Sequence, residues 1–191
     1  AVMQIIGDHR LLLRLPGMLT GFVLAGVFWW VLRGIDAKRA DLVALVVLIS
    51  PISLINAFTL TDTGVILFGG LSLAALIPAL GNNQLRYSAL AGVCLGLAFL
   101  SKYFAAGLVL AYALHFFVID RQQWRHGVVL LLASLPFALL NLYWNYTHCW
   151  SNVLFNFINR HDPSTGFNAW TTGLYALSVL FIFLPPIVLR F

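Results

Sequence analysis

Long apolar runs, separated by short groups of charged and turn-forming residues, make up most of this sequence. Several runs are close to the lower limit of about 17 residues for a membrane crossing, so we expect short, bent or interrupted helices among them. The predicted fold is an all-α, polytopic transmembrane helix bundle that forms a single domain, 1–191. The runs predict seven spans, at about 15–33, 41–58, 63–80, 86–101, 103–119, 127–144 and 168–189.

The clearest interrupted run extends from Arg86 to Asp120 and has Lys102 near its middle. It is too long for one crossing, for which about 20 residues suffice, and barely long enough for two. About 16 residues separate Arg86 from Lys102, which is roughly 24 Å of helix at 1.5 Å per residue. Lys102 is therefore predicted to lie close to the outer edge of a hydrocarbon core about 30 Å thick.

The composition agrees with a membrane protein. Of the 191 residues, 61% are hydrophobic and 9% are charged, against about 25% charged residues in soluble domains, and the mean hydropathy is +0.93. The net charge of +5 is then a topology signal and predicts no nucleic-acid partner. All six acidic residues are aspartates, which limits the candidates for a catalytic carboxylate.

Basic residues predict the orientation, because loops rich in Lys and Arg face the cytoplasm. With seven crossings, the more basic side is predicted to be cytoplasmic, and Asp62 and Lys102 share the outer rim. The outer side otherwise carries Arg10, Arg14 and Arg160. The cytoplasmic side carries Arg33, Lys38, Arg39, Arg86, Arg121, Arg125 and Arg190.

Two charges from separate helices at one membrane rim predict a site. Lys102 either extends its ammonium to the lipid headgroups or binds an anionic group, for which a lipid phosphate is the best candidate. Asp62, in the segment "TLTDTG", precedes an apolar span and has the residue type of a helix N-cap. Capping does not exclude a second role, since the side chain would still face the outer side.

The polar segment at 144–168 predicts a long outer loop. His148, His161 and Asp162 lie in it and could bind a metal, but their spacing matches no tight ligand motif. A solvated loop that closes over a substrate is the alternative.

Three further features have structural interpretations. "RLPG" at 14–17 predicts the start of a helix with Pro16 in the first turn, which leaves Arg14 able to face a phosphate. His115 and His126 are predicted to be interfacial or cytoplasmic polar residues.

Four segments, in order, resemble one family. "GDHRLLLRLPGMLTGFVLAGVFWWVLR" resembles the Gly-Asp…Arg-Leu-Pro start of a span in polyprenyl-phosphate-dependent glycosyltransferases. "AFTLTDTGVILF" is similar to their Thr-x-Asp segment, and "GVCLGLAFLSKYFAAGLVL" to their Gly-Leu-x-x-Leu-Ser/Thr-Lys segment. "NLYWNYTHCWSNVLFNF" resembles their Trp-Asn-x-x-His-x-Trp stretch. This is the GT-C superfamily, in the branch of protein O-mannosyltransferases and bacterial aminoarabinose transferases.

The resemblance implies an inverting transferase that acts at the outer face. It would move a sugar from a polyprenyl-phosphate carrier to a lipid, glycan or protein acceptor. Lys102 would bind the donor phosphate, with Arg14 as a second candidate, and Asp62 would be the catalytic carboxylate of this rim. His148, together with Trp144 and Asn145, would lie in the loop over the acceptor.

The resemblance also implies a setting. We expect a bacterial inner-membrane protein whose site faces the periplasm, with membrane lipids and other membrane subunits as partners. The cofactor is left open, with a divalent metal as one alternative. In this family the leading carboxylate lies in the first large outside loop, so we expect the chain to be part of a longer protein; Asp8 matches the Gly-Asp motif and is not expected to be the base. A transporter and a non-catalytic membrane subunit are the rival interpretations.

Labelling of single-cysteine variants tests the predicted orientation. A cysteine at Asn159 should react with a membrane-impermeant thiol reagent added from outside, and one at Gln122 should react only after the membrane is opened. The reverse pattern would place Asp62 and Lys102 at the cytoplasmic face.

Overall fold

Helices and the short turns between them form the part of the chain that the computed structural model describes, which is residues 10–58, 62–154, 170, 173 and 177. No strand occurs in these residues, and the predicted all-α fold is confirmed. A 3₁₀ turn at Tyr103–Ala105 and a π-helical turn at His115–Ile119 flank one of the helices. The helices are α1 (Arg10–Arg33), α2 (Ala37–Ile49), α3 (Pro51–Phe58), α4 (Thr63–Gly81), α5 (Leu85–Ser101), α6 (Ala106–Leu114), α7 (Trp124–Thr147) and α8 (Ser151–Leu154).

The chain forms two compact units, 1–138 and 139–191. The first unit contains α1 to α6 and the larger part of α7, and the second contains the end of α7 and α8.

Fewer than seven of the described helices are long and apolar enough to cross a membrane. Three qualify, at Arg14–Arg33, Thr63–Gly81 and Arg121–Thr147, and the bent pair α2–α3 makes a fourth if it is one span. Two predicted spans, 86–101 and 103–119, form shorter apolar helices on either side of Lys102. The seventh predicted span, 168–189, lies outside the described residues apart from positions 170, 173 and 177.

The bend between α2 and α3 follows from a Ser-Pro sequence. Pro51 disfavours a helical conformation at the residue before it, and Ser50 is extended with φ −60° and ψ 143°. The Ser50 hydroxyl accepts a hydrogen bond from the backbone N–H of Ser53 (3.2 Å) and so caps α3. The two helices therefore meet at an angle of 44° without leaving the start of α3 uncapped.

We had expected the "RLPG" segment to start a helix, and this prediction is wrong. Helix α1 already includes Arg10, and Pro16 lies inside it. The segment contributes to helix packing through Gly17, which is buried. A Cβ atom at Gly17 would lie 2.2 Å from the backbone carbonyl oxygen of Asn56, so glycine is what allows α1 to approach α3.

Close contacts between helices fix which of their ends lie together. Gly17 lies beside Asn56, and Gly64 at the start of α4 lies beside Ser101 at the end of α5. These contacts bring the start of α1, the end of α3, the start of α4 and the end of α5 to one end of the first unit, which we call the rim end. Asp62 and Lys102 both belong to it.

The basic residues of this unit lie mainly at the other end. The α1–α2 and α4–α5 turns lie there, because α1 runs parallel to α4, with Leu24 beside Gly70, and α4 runs antiparallel to α5. This basic end carries Arg33, Lys38, Arg39, Arg86, Arg121 and Arg125. The predicted grouping of charges therefore agrees with the helix directions, and which end faces the cytoplasm stays a prediction.

Small residues hold the core of the first unit together. Ser72 of α4 is fully buried and donates a hydrogen bond to the carbonyl oxygen of Ala91 (2.8 Å), and its hydroxyl lies 3.1 Å from the Tyr112 hydroxyl. Small and hydrogen-bonding residues are typical of helix contacts in membranes, where apolar side chains gain little from leaving lipid. The core cluster consists of Ala75, Leu76, Ala79, Ala91, Leu95, Tyr112, Phe116 and Leu130.

His126 is a buried polar residue next to Arg125 of the basic end, and its predicted interfacial or cytoplasmic position stays a prediction. Its side chain is 2% exposed, with Nδ1 2.7 Å from the Ser88 hydroxyl and Nε2 2.9 Å from Asn83 Oδ1. A neutral ring with its proton on Nε2 satisfies both contacts, because it accepts from Ser88 and donates to Asn83. His126 thus ties α7 to α5 and to the turn before it. His115 is half-buried and packs edge-on against Phe116.

Replacement of Gly92 should destabilise the protein. A Cβ atom there would lie 2.1 Å from the backbone oxygen of Leu130, so Gly92→Ala must separate α5 from α7. We expect a loss of about 1–3 kcal/mol, the usual cost of overpacking, seen as a lower melting temperature in detergent. Gly107→Ala is the matched control, because no neighbouring atom of the described residues lies within 4 Å of its Cβ position. Equal melting temperatures for the two variants would contradict the close α5–α7 contact.

Candidate functional site

The Lys102 ammonium and the Asp62 carboxylate form an ion pair at the rim end. Lys102 Nζ donates a hydrogen bond to Asp62 Oδ1, and it lies 5.3 Å from the centroid of the Phe104 ring, within cation–π range. The two side chains are 31% and 39% exposed respectively, so the pair is partly buried and still accessible. The prediction that these two charges lie together is confirmed, while their place at a membrane rim and their role as a site stay predictions.

Lys102 occupies the break between two helical segments. Its backbone is extended, with φ −161° and ψ 137°, and this conformation ends α5. The break leaves its peptide groups satisfied, because the N–H donates to Ala98 (3.0 Å) and the carbonyl accepts from Ala105 (3.1 Å). The interruption that the sequence predicted at this lysine is therefore a short, hydrogen-bonded kink.

Asp62 occupies the N-cap position of α4 without capping it. Its side chain makes no hydrogen bond to the helix backbone and bonds to Lys102 instead. The next residue, Thr63, also has a cap-forming side chain, yet its hydroxyl donates to Asn56 Oδ1 of α3 (3.0 Å). The predicted N-cap position of Asp62 is therefore confirmed, but its side chain makes no capping hydrogen bond, and both side chains connect α4 to other helices.

The two helix ends that carry the charges approach each other closely. A Cβ atom at Gly64 would lie 2.7 Å from the Ser101 hydroxyl oxygen and 2.9 Å from Ser101 Cβ. The Ser101 hydroxyl itself donates to the carbonyl oxygen of Leu97 (2.9 Å). The Asp-Thr-Gly segment at 62–64 therefore lies beside the Ser-Lys segment at 101–102. The missing side chain at Gly64 brings the carboxylate within reach of the ammonium.

Arg14 of α1 also lies at the rim end. It lies one helical turn before Gly17, whose Cβ position is 3.6 Å from the Thr63 hydroxyl oxygen, and its side chain is exposed. Its proposed contact with phosphate stays a prediction.

An apolar cavity of about 520 Å³ opens beside the kink at Lys102. Helices α5, α6 and α7 line it, and Ser134 is the one hydroxyl-bearing residue among the described lining residues. Phe99 and Ala106, three residues before and four residues after Lys102, both line this cavity. A charged rim and an apolar chamber thus lie next to each other along the chain.

The "WNYTHCW" segment lies in the second unit and is more helical than predicted. Helix α7 continues to Thr147, so Trp144 and Asn145 belong to a helix, whereas we had expected a loop from 144 onward. Trp150 N donates to the carbonyl oxygen of Asn145 (2.9 Å), and Cys149 has φ 54°. This is the closing pattern of a helix C-terminus.

Several side chains of this segment contact residues within one helical turn of them. The His148 ring stacks on Trp144, with centroids 4.2 Å apart and planes 10° from parallel. Asn145 is buried, and its amide donates to the Asn141 carbonyl oxygen (2.8 Å) and to Asn141 Oδ1 (2.9 Å). Trp144 and His148 are exposed. Their predicted role toward an acceptor stays a prediction.

Among the described residues, no group of three or more His, Cys, Asp or Glu side chains lies close enough together to bind a metal ion. His161 and Asp162, which the metal alternative requires, lie outside the described residues, as does the rest of the predicted loop from 155 to 168.

Sequence reasoning missed Asn56 and Thr63. Asn56 is 1% exposed and bonds to α1 and α4. The available signal was an amide in an otherwise apolar run, "PISLINAF", because a buried polar group in a membrane helix requires a partner. Thr63 was part of the quoted Thr-x-Asp segment, but its partner in α3 could not be found from sequence spacing.

The comparison with known families supports the resemblance. The family of dolichyl-phosphate-mannose-protein mannosyltransferases matches residues 1–144, about three quarters of the chain. The match includes α1 to α6, both members of the ion pair and the cavity helices up to Trp144. Neither a curated protein nor a solved structure matches this chain. The chain belongs to the dolichyl-phosphate-mannose-protein mannosyltransferase family, within the GT-C superfamily of membrane glycosyltransferases.

Proposed function

We propose that this protein transfers a sugar from a polyprenyl-phosphate carrier to a hydroxyl acceptor at the outer face of the membrane, with inversion at the sugar carbon. The observation that carries the proposal is the Asp62–Lys102 pair beside an apolar cavity. Such a carrier has one charged group and a long apolar chain, and the two parts need different surroundings that adjoin each other. Family membership supports the transferase activity and the membrane setting.

Lys102 binds the phosphate of the carrier in this proposal. An ammonium has three N–H donors, and Asp62 accepts from one of them, which leaves donors for phosphate oxygens. The side chain is 31% exposed and thus can be reached. The start of α4 adds the positive end of a helix dipole to the same place. Arg14 provides a second cation from α1.

The isoprenoid chain of the carrier occupies the cavity lined by α5, α6 and α7. The lining is almost wholly apolar, and it includes Phe99 and Ala106, which lie on either side of Lys102 in the sequence. A volume of about 520 Å³ holds the first few isoprene units, and the remainder of the chain extends into lipid. Burial of the first units next to the phosphate orients the sugar toward the rim.

The reaction is a single displacement in this proposal. The acceptor oxygen attacks the anomeric carbon and forms the new glycosidic bond, while the bond from that carbon to the phosphate oxygen breaks and its electron pair leaves with the phosphate. A carboxylate takes the acceptor proton, and Lys102 stabilises the charge that develops on the departing phosphate. Asp62 provides negative charge at this rim, either to orient the acceptor or to take its proton.

Trp144, Asn145 and His148 are proposed to contribute to acceptor binding, since an exposed Trp–His stack offers an aromatic surface for a sugar ring. The acceptor is a lipid, a glycan or a protein hydroxyl. The proposed setting is a bacterial inner membrane with the rim toward the periplasm, with membrane lipids and other membrane subunits as partners. A non-catalytic subunit would bind the carrier without transferring its sugar, which separates the two possibilities.

Removal of the lysine charge should weaken phosphate binding. Lys102→Met keeps the length of the side chain and deletes its charge, so we expect the affinity of the full-length enzyme for a short polyprenyl phosphate to fall about tenfold to a hundredfold, the effect of losing a hydrogen bond to a charged group. Ligand-induced stabilisation in detergent measures the affinity. Transfer should fall at least as far.

Two controls isolate the phosphate contact. The polyprenol without phosphate should bind wild type and Lys102→Met equally. Lys38→Met, at the only other lysine of the chain and exposed at the basic end, should bind the phosphate normally. Unchanged phosphate affinity in Lys102→Met would mean that the lysine only holds Asp62 or extends to the headgroups.

The negative charge of Asp62 can be tested by Asp62→Asn. Asparagine keeps the size of the side chain and an oxygen that can accept from Lys102, and it removes the charge. We expect turnover to fall by at least about a hundredfold, the usual scale of general acid–base catalysis, while the affinity for polyprenyl phosphate stays the same or rises, because the lysine loses a competing anion. A variant with normal turnover would remove Asp62 from the reaction.

A further inference from the structure

We infer that Asn56 is a positioning residue, which acts through Thr63 to hold the Asp62 carboxylate opposite Lys102. It bonds to neither charge itself. Its side chain connects α1 to the residue that follows Asp62, so that the start of α4 has a fixed place relative to the rest of the rim end. The inference deepens the proposed function, on which its catalytic consequence rests.

The Asn56 side chain uses its donor and its acceptor in different directions. The amide Nδ2 donates to the carbonyl oxygen of Gly17 in α1 (3.2 Å), and Oδ1 accepts from the Thr63 hydroxyl of α4 (3.0 Å). The side chain is 1% exposed, which makes an unpaired amide costly there. Three helices are therefore joined at one amide, and a change to either bond affects the other.

The approach of the backbones leaves little freedom in this junction. Gly17 packs directly on the backbone of Asn56, with its Cβ position 2.2 Å from the carbonyl oxygen and 3.6 Å from the Thr63 hydroxyl. The Asn56 backbone, the α1 backbone and the Thr63 side chain thus occupy one tightly packed spot. Helix α3 cannot shift along α1 without breaking the hydrogen bond from the Asn56 side-chain amide to the Gly17 carbonyl oxygen.

The need for such a device follows from what Asp62 does not do. A capping carboxylate would be held by hydrogen bonds to its own helix, but the Asp62 side chain makes no hydrogen bond to the α4 backbone. Its partner Lys102 comes from the end of another helix. The position of the carboxylate therefore depends on how the first turn of α4 is anchored. Thr63 provides that anchor on one side, and the Gly64–Ser101 contact provides it on the other.

Thr63→Val is the sharpest test, because valine has the shape of threonine and lacks the hydroxyl. Thr63→Ser keeps the hydroxyl and loses a methyl group. Ser72→Ala is the matched structural control, since it removes a buried hydroxyl that bonds within the same helix bundle but lies more than two turns further along α4. Asn56→Leu removes both bonds of the amide.

The first measurement is independent of catalysis. Cysteines replace Asp62 and Lys102 in a full-length chain whose Cys94 and Cys149 are serines, and a short bifunctional thiol reagent then cross-links the pair. We expect Thr63→Val and Asn56→Leu to slow cross-linking about fivefold or more, and Thr63→Ser and Ser72→Ala to leave its rate within about twofold. An unchanged rate in Thr63→Val overturns the positioning role.

The second measurement uses the full-length enzyme with Asp62 and Lys102 intact and a polyprenyl-phosphate sugar as donor. Thr63→Val should lower kcat about tenfold with a smaller change in KM, and Thr63→Ser should retain most of the rate. Ser72→Ala should lower the melting temperature at least as much as Thr63→Val and leave kcat nearly unchanged. Equal kcat for Thr63→Val and Ser72→Ala would reduce Asn56 to a structural residue.

The two measurements separate the inference from the proposed function. A slowed cross-link together with no transfer by any variant, wild type included, supports the positioning role and contradicts the transferase proposal. A normal cross-link and a normal kcat in Thr63→Val contradict the positioning role and leave the transferase proposal intact.

Discussion

The bond between Lys102 and Asp62 constrains the rim end more than any other interaction in the first unit. An ammonium near the hydrocarbon core is costly without a partner, and a carboxylate at a helix start is usually held by its own backbone. Here each charge takes its partner from another helix. The pair therefore needs the start of α4 to lie beside the end of α5, which in turn needs glycine at position 64 beside Ser101 and a kink at the lysine.

Much of this arrangement could be predicted from the sequence because membrane thickness and helix rise are fixed lengths. They placed Lys102 at one edge, and the alternation of apolar runs placed Asp62 at the same edge. The resemblance of four short motifs identified the family. None of these arguments needs knowledge of which helix packs against which, and that is why they could bring Asp62 and Lys102 together and identify the family.

The parts that the sequence did not predict are contacts between distant segments. Asn56 is 39 positions from Gly17, and His126 is 38 from Ser88, so no local pattern relates them. The burial of His126 was likewise not predicted, and it is acceptable because both ring nitrogens have hydrogen-bond partners. Helix lengths were also misjudged, since Trp144 and Asn145 continue α7 where polar residues suggested a loop.

The kink at Lys102 has a consequence for how this chain enters the membrane. A residue that leaves a helix usually exposes bare peptide groups, and lipid offers them no hydrogen bonds. The N–H of residue 102 bonds to Ala98 and its carbonyl bonds to Ala105, so the peptide groups of the interrupting residue are both paired. The cost that this residue brings to a membrane thus comes from its side-chain charge, which Asp62 neutralises. Asp62 precedes Lys102 in the chain, so the carboxylate that pairs with the lysine is already present when 85–119 is synthesised.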